Sequence, residues 1–292
     1  MVTQARHRCT YLMTNTAAHQ PLFLVTGANG KTGSRVAALL DAAGHPVRRG
    51  SRSAEIPFDW TDSDTWGPAL AGVTAIYLAF QPDLAVPGAP DTIRAFTAAA
   101  RAAGVGSVVL LSGRGEPEAL ECEAAVRESG LAWTVVRCSF FAQNFSEGAF
   151  LGDVLAGAVA LPNGDVPEPF VHADDIAEVT VAALTDPRHV GEIYELTGPR
   201  ALTFAEAVTE IAEAADREIA FIPIGRPEFV AALRGYELPE DVVGLLDYLF
   251  GTILDGRNSA TADGVQRALG RAPRDFTEYA KQTAATGVWT PQ

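Results

Sequence analysis

Leu22-Phe23-Leu24-Val25-Thr26-Gly27-Ala28-Asn29-Gly30-Lys31-Thr32-Gly33-Ser34 is the stretch on which the fold turns. Its first five residues are apolar or β-branched, short enough for a buried strand, and they stop at a glycine turn. Ser34 to Ala43 then carries Val36, Ala37, Leu39 and Leu40 at helical spacing, with Gly44 placed to close the helix. The glycines at 27, 30 and 33 form a GxxGxxG spacing between strand and helix. In such a turn the first glycine permits the tight bend, the second lets backbone approach a pyrophosphate, and the third lets helix and sheet pack closely. The helix N-terminus then aims free N–H groups at phosphate. Gly27, Asn29, Gly30, Lys31, Thr32 and Gly33 are accordingly assigned to a dinucleotide.

Outward from this turn the pattern repeats. Val47 to Gly50 reads as a second short strand, and a third is expected just ahead of Asp59-Trp60. Residues 75–79, 107–111 and 132–136 are further apolar strands, with helices over 93–103 and 118–129 and Pro117 suited to a first helical turn. Strands alternating with helices, and apolar without interruption, predict an α/β fold: a doubly wound, parallel, Rossmann-type sheet covered on both faces. Past residue 145 the alternation weakens. Residues 148–164 suggest a short helix and a glycine-proline turn, and 170–184 a return to the sheet plus a helix capped by Asp174 or Asp175. A last strand is expected at 193–196. From Thr203 the chain reads as mostly helical, with one strand over 219–222. The expected organisation is a mobile extension over 1–19, a nucleotide-binding domain over 20–145 plus 168–199, and a smaller, mostly helical substrate lobe over 146–167 plus 200–292. Translation starts at Met1 or at Met13.

Composition narrows the function classes. The 292 residues are 48% hydrophobic and 20% charged, enough for a sizeable core. A net charge of −14 argues against a nucleic-acid partner, which needs clustered Lys and Arg. No run of 18 apolar residues suggests a membrane span. Cys9, Cys122 and Cys138 form no CxxC pair, and the five histidines have no metal-ligand spacing, so neither a disulfide framework nor a metal site is expected. A reducing, cytoplasmic compartment follows.

The end of the second strand bears on cofactor choice. An acidic residue there would accept the adenosine ribose hydroxyls and repel a 2′-phosphate. The chain reads Arg48-Arg49-Gly50-Ser51-Arg52 instead. Arg52 is assigned to that phosphate through its planar fork, with Ser51 adding a hydrogen bond, and NADP(H) is the expected cofactor. By position, Asp59 and Trp60 are placed beside adenine. Ala79 and Phe80 are placed on the nicotinamide side, Phe80 being either a wall of the crevice or a core aromatic.

Typical short-chain dehydrogenases pair a Tyr with a Lys four residues later, which lowers the Tyr pKa so that it exchanges the carbonyl proton. The only lysines here are Lys31 and Lys281, neither stands four residues after a tyrosine, and the region after Ser112-Gly113 reads Glu116-Pro117-Glu118. With that absence on record, the chain from about residue 20 onward resembles the NmrA-like branch of atypical short-chain dehydrogenases. The resemblance is carried by the glycine turn, Leu110-Leu111-Ser112, residues 123–131 leading to Trp133-Thr134-Val135-Val136-Arg137, Ser139-Phe140-Phe141-Ala142-Gln143-Asn144-Phe145, residues 170–177, and Tyr194-Glu195-Leu196-Thr197-Gly198-Pro199. Within the branch it is most similar to bacterial relatives of the festuclavine and agroclavine dehydrogenases. The resemblance implies a reductase passing hydride from NADPH to an acceptor that needs no strong protein acid. It also implies that Ser112 is the serine on the nicotinamide side. The branch includes cofactor-sensing regulators as well, so a non-catalytic NADP(H) sensor is the alternative.

The missing pair independently favours an iminium or quinone acceptor. Hydride addition to an iminium gives a neutral amine, and a quinone gives an anion that water protonates, whereas a ketone gives a basic alkoxide. Phe140, Phe141 and Phe145, with Phe80, are expected to line an apolar pocket for an aromatic or polycyclic small molecule, or to be partly core. Asn144 and Gln143 orient substrate or satisfy turn backbone. Ser112 is the one candidate catalytic residue, and His172 the nearest base for it. A Ser-based triad is not favoured.

Overall fold

The computed structural model describes residues 20–291; the expected N-terminal extension, with Met1 and Met13, lies outside the described residues. Strand β1 (Phe23–Thr26) runs into the glycine turn and helix α1 (Lys31–Ala42), followed by β2 (Val47–Gly50), α2 (Trp66–Leu70), β3 (Ala75–Leu78), α3 (Ala89–Ala102), β4 (Ser107–Gly113), α4 (Pro117–Arg127) and β5 (Ala132–Cys138). Then come α5 (Leu151–Ala156), β6 (Ala158–Leu161), α6 (Ala173–Thr185), β7 (Ile193–Leu196), α7 (Phe204–Ala215), β8 (Ala220–Pro223), α8 (Arg226–Gly235), α9 (Glu240–Tyr248), α10 (Gly264–Leu269) and α11 (Phe276–Ala285). Six strands form one parallel sheet in the order β2-β1-β3-β4-β5-β7, with Val25 opposite Arg49 on one side and Tyr77 on the other. The winding direction reverses between β1 and β3. A crevice opens at the carboxyl ends of strands at such a reversal.

Alternate residues of each strand serve opposite faces. Phe23, Val25, Ala75 and Tyr77 pack with Val36 and Leu40 of α1 and Ile176 and Val179 of α6. Leu24, Ile76 and Leu78 pack with Phe96 of α3 and Val126 of α4. Both faces are therefore buried, which is why these strands are apolar throughout. A separate core gathers Phe145, Phe150, Phe170, Phe204, Phe250 and Phe276 around β6, β8 and the C-terminal helices.

Three local expectations are corrected. No strand forms ahead of Asp59: residues 51–62 are turns with a single bridge from Asp59 to Asp62. Phe58 is instead buried edge-on against Trp60 and Phe96, and its backbone N–H bonds back to Ser51 O at 3.0 Å, so the segment folds on itself. Residues 75–78, 107–113 and 132–138 are thus the third, fourth and fifth strands. Second, 158–161 forms β6, pairing with β8 in a parallel two-stranded sheet whose partner is some 60 residues away in the chain, too far for a local pattern to announce. Third, neither Asp174 nor Asp175 caps α6. His172 Nδ1 accepts the Asp174 N–H at 3.1 Å, while the fully buried Asp175 binds Arg271 at 2.7 Å and the Arg274 amide at 2.7 Å.

Candidate active site

The glycine turn is held by its own geometry. Gly27 has φ +60°, open to glycine at little cost, and the Gly30 N–H donates to Gly27 O at 2.9 Å. A Cβ on Gly33 would lie 2.2 Å from Gly27 O, so only glycine lets α1 approach the turn. Thr26 Oγ1 accepts the Ala79 N–H at 2.8 Å, and the Tyr77 hydroxyl donates to Thr32 Oγ1 at 2.9 Å, tying β1, β3 and α1 together. The first turn of α1 has no side-chain cap, which leaves its N–H groups for a ligand. Lys31 lies beside this turn. Burial lowers its pKa while Glu147 opposes the shift, and Glu147 is itself bound by Arg35 at 2.5 Å.

From this turn a cleft of about 650 Å³ runs over the carboxyl ends of β3, β4 and β5. Gly27, Asn29, Gly30, Lys31 and Thr32 line one end; Ala79, Phe80, Ser112, Phe140, Phe141 and Asn144 line the middle; Leu246, Leu249, Phe250 and Ile253 form an outer wall. Gly33 lies beneath the turn. Ser51, Arg52, Asp59 and Trp60 fall outside the cleft lining, although Gly50 O accepts the Ala28 N–H at 3.4 Å and so brings the start of that segment to the turn. Arg52 is exposed, and it helps, after the two hydrogen bonds from Thr61, to hold the Asp59 carboxyl below its ordinary range. Trp60 packs on Phe80 with ring centroids 4.9 Å apart. Phe145 differs from expectation: it is fully buried among Phe150, Phe170, Phe204 and Phe276, its carbonyl accepts the Trp289 indole N–H at 2.8 Å, and it does not reach the cleft. The 3₁₀ turn at 142–145 points it inward, away from Phe141. Gln143 serves backbone, accepting the Ala173 N–H at 2.7 Å.

Ser112 is 3% exposed and donates its proton to Glu123 Oε1 at 2.7 Å. Glu123 is gripped by the Arg137 fork (2.9 and 2.6 Å), which continues through Glu195 to Arg114. The serine proton is thus committed to a carboxylate, leaving its lone pairs to accept from a ligand. His172 lies off the cleft, in contact with Gln143, and burial lowers its pKa. No Ser–His pair forms. Tyr77, Tyr194 and Cys122 are also away from the cleft: the first holds Thr32, the second contacts His189 at 2.7 Å, and the third is buried at Leu84 O.

Besides Glu147 beside Lys31, sequence reasoning missed three further carboxyls that line the cleft. Burial raises the pKa of Asp83, raises that of Glu116 to about 8 with Asp83 and Glu118 adding repulsion, and raises that of Glu168 to about 7. Glu168 stands between Pro167 and Pro169, a carboxylate in a stiff segment leading into an apolar strand-like run, and that was the available signal. No tyrosine lines the cleft among the described residues.

A doubly wound parallel sheet with a glycine turn and an uncapped helix N-terminus at its reversal point defines a dinucleotide-binding protein. Residues 27–187 match the family described as NAD(P)H-binding, and the chain belongs to that family. It is 34% identical to the uncharacterized oxidoreductase YesF of Bacillus subtilis (91% of this chain, 97% of that one). It is 31% identical to the NAD(P)H azoreductase of Xenophilus azovorans (90% and 98%), and 29% to the agroclavine dehydrogenase of Claviceps fusiformis (91% and 98%). The expected kinship with the clavine dehydrogenases is thereby borne out. Among solved structures it is similar to a nucleoside-diphosphate-sugar epimerase from Staphylococcus aureus, with TM-score 0.74, 16% identity, and 89% and 99% of the two chains covered. Among the described residues no helix is long and apolar enough to cross a membrane.

Proposed function

We propose that this protein is an NADPH-dependent reductase that passes hydride to an iminium, a quinone or a related conjugated small molecule, without a Tyr–Lys acid pair. The observation that carries the reading is the make-up of the cleft. Phosphate-binding geometry at one end leads to a section walled by Phe80, Phe140 and Phe141, with no tyrosine in its lining and its lysine held at the phosphate turn. When bound, the dinucleotide supplies the hydride. The chain's own groups orient it: the α1 N–H groups and Lys31 hold pyrophosphate, Arg52 and Ser51 take the 2′-phosphate, and Ser112 accepts from the carboxamide or a substrate donor. The aromatic walls favour a flat acceptor and exclude water. Kinship with an azoreductase and with clavine dehydrogenases supports an acceptor of conjugated C=N or N=N type.

The test is stoichiometric NADPH oxidation against a panel of iminium salts, quinones and azo compounds. Turnover of at least one class, with a preference for NADPH over NADH, is expected. No oxidation with any acceptor, together with tight cofactor-dependent capture of a protein partner, would replace the reductase with the sensor.

A further inference from the structure

Glu168 lies between β6 and α6, its backbone clamped to Leu202 by hydrogen bonds of 2.8 and 3.0 Å. The residue is 1% exposed, yet it lines the cleft. Its carboxyl receives one long hydrogen bond, 3.4 Å from the Phe140 amide, and among the described residues it makes no ion pair. Phe140 follows β5, where the cleft wall crosses the strand ends. Arg114 is the cation that acts on Glu168, but its guanidinium is committed to Glu195 at 3.2 Å and to the carbonyls of Asn258 and Ala260 at 2.7 Å each. Arg114 therefore offers a fixed field and no direct bond. A carboxyl so deeply buried and so sparsely bonded favours its neutral form.

We propose that Glu168, held as a neutral carboxylic acid, is the proton donor to acceptors whose reduction leaves a basic oxygen or nitrogen. The inference rests on the reductase reading; it makes a protein carboxyl, in place of water, the proton source for quinones and extends the acceptors to conjugated carbonyls. Hydride from the reduced dinucleotide forms a C–H bond at the electrophilic carbon, and the π pair moves to the acceptor oxygen. The carboxyl O–H of Glu168 breaks as a new O–H forms there. The dinucleotide ends oxidised, the acceptor gains two electrons and two hydrogens, and the Glu168 carboxylate, steadied by Arg114, regains a proton from solvent. Burial places this group near neutrality, where an acid donor works best, with the Phe140 amide and then Arg114 limiting the rise. Across the same cleft stand Glu116 and Asp83, whose carboxyls burial also pushes toward their neutral forms. Glu116, whose Oε2 is buried without a partner among the described residues, is the rival donor.

The experiment compares wild type, Glu168→Gln and Glu116→Gln in single-turnover hydride transfer to a quinone and to a stable iminium salt, after calorimetry has shown NADPH binding. In Glu168→Gln the quinone-to-iminium rate ratio should fall about 100-fold, since loss of a general acid costs roughly 10²–10⁴. The wild-type quinone rate should decline above about pH 7, with that limb lost in the variant. Independently of turnover, infrared difference spectra of wild type against Glu168→Gln should show a protonated carboxyl that titrates near pH 7. An ionised Glu168 at pH 6, an equal slowing of both acceptors, or a ratio that falls only in Glu116→Gln would overturn the assignment. Iminium turnover with an unchanged quinone ratio would sink this inference alone, whereas no turnover with either acceptor would remove the reductase reading beneath it.

Discussion

Gly33→Ala tests the dinucleotide site by geometry alone. The new Cβ would stand 2.2 Å from Gly27 O, 2.7 Å from Gly27 C and 3.1 Å from the Ala28 Cα, all backbone atoms that cannot rotate away. An ordinary contact begins at 3.4 Å, so α1 and the turn must separate by about 1.2 Å. The far side of α1 is no freer, because Val36, Ala37 and Leu40 are buried against α6. Overpacking of this kind costs about 1–3 kcal/mol, which in a chain of this size lowers Tm by roughly 2–5 °C. Binding should suffer more, since the N–H groups that face pyrophosphate move by about the same distance, and losing one hydrogen bond to a charged group costs about 1.5–3 kcal/mol, roughly 10- to 100-fold in affinity. Gly44→Ala is the control: φ is +78° there, but no atom lies within 4 Å of the new Cβ and no ligand is near. It should lower stability by about 1 kcal/mol and leave binding alone. Calorimetric titration of NADPH and thermal unfolding of both variants provide the measurements. Wild-type affinity in Gly33→Ala would refute the placement of the dinucleotide on this turn.

Other substitutions separate the remaining roles. Arg52→Ala should erase a roughly tenfold preference for NADPH over NADH, about 1.4 kcal/mol, read by titrating both cofactors; an unchanged preference would shift the role to Arg49 or Lys31. Phe145→Ala should cost about 3–5 kcal/mol in urea unfolding with little change in substrate KM, whereas Phe141→Ala should raise KM with a smaller loss of stability; the reverse pattern would show that the two rings have been misplaced. Asp175→Ala leaves Arg271 and Arg274 with Glu178 alone and leaves the Arg274 amide without its acceptor, and should destabilise by about 1.5–3 kcal/mol; a loss below about 0.5 kcal/mol would show that Asp175 is not structural. Glu168 has a folded pKa of about 7, above its ordinary 4.5, so its protonated form favours the fold. That contribution, on the order of 3 kcal/mol, is fully present below pH 4.5 and is lost as pH rises through about 7. Denaturant titrations should show this decline in wild type and not in Glu168→Gln; parallel pH profiles would show that Glu168 is ionised throughout.

The nucleotide half of this protein could be read from sequence because its signals are local. A strand that stops at Gly27, a helix that follows the glycine turn, and glycine where helix meets turn are each decided by neighbours within a few residues, and the structure keeps them, opening the helix at Lys31, one turn ahead of the expected Ser34. The continuous apolar strands announced a sheet buried on both faces for the same reason. The cleft was legible only in part. Phe141 and Phe145 are four residues apart and equally apolar, yet one lines the cleft and the other enters the aromatic core, a difference made by the 3₁₀ turn between them and by Phe204, Phe276 and Trp289 arriving from distant chain. Strand β6 needed β8 to exist, and the cap of α6 went to His172 because Arg271 and Arg274 drew Asp175 into the interior. The acids of the cleft carry little local mark beyond the two prolines that flank Glu168. Glu168 is an ordinary glutamate by type, and only the closure of Phe140, Leu202 and Arg114 around it removes the water that would otherwise keep it charged. Sequence by itself determined the sheet, the turn and the class of cofactor, because backbone conformation and hydrophobic period are properties of adjacent residues. Tertiary structure alone decided which side chains face the cleft and in what state of charge, because burial depends on groups brought together from far along the chain.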